Sequence, residues 1–161
     1  MASYNLLMQA TYDDANLILK LYELRREETL RKARAWFGAN FNATNAQEVM
    51  QKYPPGSQES TNLRMVVSYW DMVASFVTAG VLNQELFFQS GGELLFVWEK
   101  LRGIAESFRQ MTKNPQQWAN LETVGNAYIK FVESRGPEAY AAFQAMMKAF
   151  PASESAATAK S

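Results

Sequence analysis

Apolar side chains recur three and four residues apart along most of this chain, and no run alternates with a period of two. That spacing gathers apolar groups on one side of an α-helix and would scatter them over both faces of a strand. The expected fold class is therefore all-α, a multi-helix bundle of about five to six helices with antiparallel neighbours. A chain of 161 residues, 48% hydrophobic and 20% charged, suits one domain with a continuous core. That domain is expected over residues 1–150. The small, polar stretch 151–161 is expected to be a disordered tail.

Local signals divide the chain. The first helix is expected from Asp13 or Asp14, either a good N-cap, to Gly38. Its charged middle carries two acid-first i,i+4 pairs, Glu27 with Arg31 and Glu28 with Lys32. Asn45, with Glu48 three residues on, reads as the start of a short helix. Tyr53-Pro54-Pro55-Gly56 then breaks the chain. The next helix is expected from Ser57–Thr61 to Gly80, and it is apolar on most sides. Only Arg64, Ser68, Asp71, Ser75 and Thr78 form a polar strip, so this helix belongs at the centre. Asn83 caps a short helix to about Gln89. Gly91-Gly92 precedes a long helix from Glu93 to about Met111. Asn114-Pro115 reads as a restart, running to Gly136, and Pro137 opens a last short helix.

Two absences limit the chemistry. With no cysteine and no histidine, thiolate nucleophiles, thiolate metal sites, Ser-His-Asp triads and histidine-ligated metals are all excluded. No cofactor and no catalytic or metal-binding residue is implied. Sixteen basic side chains balance sixteen acidic ones, which argues against a nucleic-acid partner. Polar interruptions in Leu63–Leu82 argue against an integral membrane protein. No secretory signal is legible, so a cytoplasmic location is expected.

Three groups of residues resemble those of a bacterial family known as domain-of-unknown-function family 4760. They are Leu24-Arg25-Arg26-Glu27 followed by Ala33-Arg34-Ala35-Trp36; Gly80-Val81-Leu82-Asn83-Gln84-Glu85-Leu86-Phe87-Phe88; and Trp98-Glu99-Lys100-Leu101 with Trp118 and Leu121 downstream. The resemblance runs from about Tyr22 to Phe131. It implies a helical fold and no known activity.

Three clusters are candidate sites. Asp71 sits mid-helix in the most apolar segment, where a carboxylate must be paired or protonated. Glu85, Glu99 and Arg102 are its candidate neighbours, as an acid/base or oxygen-rich cation site in a bundle pocket, or as a structural polar network. Arg25, Arg26, Arg31, Lys32 and Arg34 form a basic patch that could meet phosphate, an acidic lipid or an acidic partner. The simpler reading is a solvated helix face laced with ion pairs. Phe87 and Phe88 are adjacent and Phe96 lies off the Trp98 stripe, so these are apolar groups without an obvious place in the core. With Tyr140, Phe143, Met146, Met147 and Phe150 of the Met-rich last helix, they form a candidate interaction surface; the alternative is ordinary core packing. The preferred reading is a non-catalytic interaction or scaffold module, with a protein partner or a second copy of the chain. An enzyme or small-ligand binder and a basic-patch membrane or nucleic-acid binder are the alternatives.

Overall fold

A computed structural model describes residues 9–149 of the chain. Among them are nine helices and no strand. These are α1 (Tyr12–Arg26), α2 (Glu28–Asn40), α3 (Ala46–Lys52), α4 (Gln58–Thr78), α5 (Gln84–Phe88), α6 (Gly92–Leu101), α7 (Ala105–Thr112), α8 (Ala119–Arg135) and α9 (Ala139–Ala149). The all-α class stands, and the count exceeds the expected five to six. The expected tail, 151–161, and Phe150 lie outside the described residues.

Two expected helices are each split. The first breaks at Glu27, whose extended backbone lets its carboxylate accept the N–H groups of Thr29 and Leu30. Glu27 thus caps α2 instead of pairing with Arg31, while Glu28 and Lys32 do pair, at 2.7 Å. The second break falls at Arg102–Ile104, around Gly103, a poor helix former. It lets α6 pack on α8 while α7 turns to α3. The start of α1 also differs. Thr11 is the N-cap and Asp14 closes a capping box from the N3 position. Asn114 does not open α8. Its side chain accepts the N–H of Gln116 in a turn, and α8 begins at Ala119.

The central place of α4 is observed. It buries Leu63, Val66, Val67, Tyr69, Trp70, Val73, Ala74 and Val77 and packs against α2, α6 and α8. Trp98 on α6 lies over Gly125 of α8, and Tyr128 reaches back to the Phe88 carbonyl, so α6 and α8 run antiparallel. The pair α2 and α6 does not follow the expected antiparallel rule. Arg34 meets Glu93, Phe37 meets Phe96, and the Phe41 carbonyl meets Lys100, a constant offset along both helices. These two helices run parallel because the intervening chain crosses the bundle through α3, α4 and α5 before returning.

Candidate functional site

Ion pairing across the parallel helices divides the basic patch. Arg34 grips Glu93 through two hydrogen bonds of 2.7 Å, one from Nε and one from Nη2, and its third nitrogen donates to the Arg25 carbonyl. Arg25 stacks over Tyr22 and stands 3.7 Å from the same carboxylate. The Glu93 hydrogen bond is the largest influence holding the Arg34 pKa above its ordinary value. Arg25 and Arg34 are therefore committed inside the fold. Arg26, Arg31 and Lys32 face solvent, with Lys32 on Glu28. The patch is three exposed cations, not five.

The expected polar cluster also divides. Asp71 is half-buried, and its Oδ1 accepts the N–H of Leu121, in the first turn of α8, at 3.2 Å. The N-cap of that helix is Trp118, which has no side-chain acceptor, so Asp71 supplies the cap from α4. Burial pushes the Asp71 carboxyl above its ordinary pKa. Glu85 is exposed on α5, apart from the rest. Glu99 and Arg102 do meet, at 3.4 Å, but their partners come from α9 and not from Asp71. Tyr140 donates to Glu99 at 2.6 Å and Gln144 donates to its other oxygen at 2.8 Å. Burial, then the Glu99 carboxylate, pushes the Tyr140 hydroxyl up to about 12. This clasp fastens α9 to the bundle.

The candidate interaction surface separates into core and rim. Phe87 and Phe88 are 4% and 3% exposed, so they belong to the core. Adjacent residues can both be buried here because α5 is wedged between two walls. Phe88 packs on Tyr128 and Phe131 of α8, while Phe87 faces Ile18 and Tyr22 of α1 across a small crevice. Phe96 is half-buried against Phe37 and Gly38. Tyr140 and Phe143 rest partly on the core, Met147 is half-buried, and Met146 is 62% exposed. Phe96, Phe143, Met146 and Met147 line one groove of about 570 Å³ between α2, α6 and α9.

Sequence reasoning missed Lys100. Its ammonium donates to the carbonyls of Phe37, Gly38 and Phe41, each at 3.1 Å. The last turn of α2 contains no basic residue, so a lysine from α6 closes its C-terminus. Burial lowers the Lys100 pKa. The absence of a basic residue before Phe41 was the only signal. Among the described residues, no three acidic side chains come together as a metal site, and no helix is long and apolar enough to cross a membrane.

The fold and its surface define a class: a one-core, all-α bundle whose buried and half-buried charged groups cap helices or tie elements together. Residues 10–128 match the family described as Domain of unknown function (DUF4760), and the chain belongs to that family. The match confirms the resemblance carried by the Leu24, Gly80 and Trp98 segments. It ends within α8, so α9 lies beyond it. No curated protein and no solved structure matches the chain.

Proposed function

We propose that this protein is a non-catalytic helical interaction module that pairs with a second copy of itself through α9. One observation carries the reading. All eleven residues of α9 except Gln144 and Lys148 are Ala, Tyr, Phe or Met, yet none is buried. At 100° per residue, Tyr140, Phe143, Gln144 and Met147 turn toward the bundle. Ala141, Ala142, Ala145 and Ala149 are left on the outward face, with Glu138 just before the helix, and Met146 and Lys148 stand at its edges, where they also border the groove.

That face suits its own copy. The alanines let two helix backbones approach closely, and the flexible Met146 fills the space beside them. In an antiparallel pair, Lys148 of each copy lies toward Glu138 of the other, so a twofold axis provides both ion pairs at once. The face is small, which implies a weak and reversible dimer.

Sedimentation equilibrium from micromolar to submillimolar concentration tests the proposal. The wild-type chain is expected to show a monomer–dimer equilibrium. Ala145→Glu is expected to remain monomeric with unchanged helical circular dichroism. Lys148→Glu is expected to weaken the dimer, and adding Glu138→Lys to restore it. A wild-type chain that is monomeric throughout the range overturns the proposal, as does a dimer indifferent to Ala145→Glu.

A further inference from the structure

An open crevice of about 920 Å³ runs between α4 and the turn that joins α7 to α8. This turn is conformationally unusual. Lys113 at its start and Trp118 at its end have φ values of +57° and +59°, and they are the only non-glycine residues with positive φ among those described. A bulky aromatic residue rarely occupies the left-handed region. Such a conformation persists only where its surroundings hold it, and it tends to collect at ligand sites. Here the hold is visible. Arg109 donates from Nε to the Gln117 carbonyl at 3.0 Å and from its terminal nitrogen to Glu122, and Thr112 donates to the Gln117 side chain. The result sets the half-exposed Trp118 ring 4.8 Å from Phe108, with both rings lining the crevice.

Two opposite charges complete the lining. Asp71 and the exposed Arg64 sit seven residues apart on α4 and both face the crevice. Two helical turns separate their backbones by about 10 Å. Neither has an ion-pair partner among the described residues. An aromatic platform next to a carboxylate favours an ammonium group. A guanidinium two turns away favours a carboxylate; Ser68 lies between the two charges on the same strip, and Met65 borders the crevice beside it.

We propose that this crevice binds a small zwitterion with separated charges, of the ω-amino acid or short-peptide class. Its ammonium group sits at Asp71 beside Trp118, its apolar body lies along Met65 and Phe108, and its carboxylate reaches Arg64. The self-pairing of α9 plays no part in this.

Calorimetric titration of the full chain tests the site with 6-aminohexanoate and trialanine as the two zwitterionic probes. Hexylammonium and hexanoate each lack one charge. At least one zwitterion is expected to bind, and the single-charge analogues are expected to bind at least tenfold more weakly. Preference for the peptide or the ω-amino acid identifies the class. Arg64→Gln changes an exposed side chain, and Asp71→Asn keeps an oxygen to accept from Leu121, so both variants retain the fold. Each is expected to lower affinity at least tenfold, and Trp118→Phe is expected to remove the change in intrinsic fluorescence that accompanies binding. Failure of both zwitterions to bind overturns the proposal, as does binding unchanged by Arg64→Gln and Asp71→Asn.

Discussion

Glu93 shows how a single carboxylate can settle the roles of distant residues. Its side chain is 25% exposed, and those of Arg25 and Arg34 are 16% and 22% exposed. The group is dry enough for pairing to matter and wet enough that the full penalty of a buried charge does not apply. Glu93→Gln keeps the shape of the side chain but leaves Arg25 of α1 and Arg34 of α2 facing each other without the α6 carboxylate between them. The expected loss is about 1–3 kcal/mol, read from the urea midpoint at unchanged slope. Glu28→Gln, on an exposed i,i+4 pair, is expected to change the midpoint very little. Equal effects from the two substitutions would show that Glu93 is only another surface charge. Sequence alone exposed the five cations but not this outcome. Glu93 lies 59 positions from Arg34, and nothing local marks a contact of that span.

At the scale of elements, local chemistry was legible at three helix starts, although the local caps Thr11 of α1 and Glu27 of α2 went unread. Asn45, Ser57 and Asn83 cap α3, α4 and α5 as their side chains suggest. It was not legible where the end is supplied from elsewhere. The C-terminus of α2 depends on Lys100 and the N-terminus of α8 depends on Asp71, so Phe41 and Trp118 gave no sign of either. The splits at Glu27 and Gly103 were hidden because the apolar periodicity continues through both. Packing between α6 and α8 was hidden for another reason: it rests on a missing side chain. A Cβ on Gly125 would lie 2.4 Å from the Trp98 ring and 3.0 Å from its Cβ, so the helices meet at this glycine. Gly125→Ala improves helix propensity but forces the helices apart. The expected net effect is destabilisation by about 1–3 kcal/mol, with a change in the near-ultraviolet signal of Trp98. Gly103→Ala has open space around its Cβ and is the matched control. If Gly125→Ala stabilises the protein, this account of the contact is wrong.

Across the whole molecule, the lack of histidine leaves no side chain with an ordinary pKa between about 5 and 8. Stability is therefore expected to be level through that interval and to change at its two edges. On the acid side, backbone N–H groups hold the Asp14 and Glu27 carboxyls below their ordinary values. Hydrogen bonds from Lys52 and then Thr44 hold Glu48 down to about 2. Each lowered carboxyl contributes stability that is present above its unfolded pKa and is lost as pH falls through the folded one. Asp71 acts in the opposite sense. Burial raises its pKa, so its proton favours the folded state, and a part of stability is lost as pH rises through its titration. Three lowered groups oppose one, so the net expectation is a decline from about pH 4 toward pH 2. On the alkaline side, burial raises Tyr69 to about 12, and burial with Glu99 raises Tyr140 to about 12. Their contribution is present below pH 10, the ordinary tyrosine value, and is lost as pH rises toward 12. Urea midpoints measured across this range test the profile. Asp14 also accepts the N–H of Asn83 at 2.7 Å, which joins the start of α1 to the start of α5. Asp14→Asn is therefore expected to lower the plateau and flatten the acid limb together. A midpoint that shifts between pH 5 and 8, or an acid limb as steep in Asp14→Asn as in the wild type, contradicts the assignment of acid sensitivity to these caps.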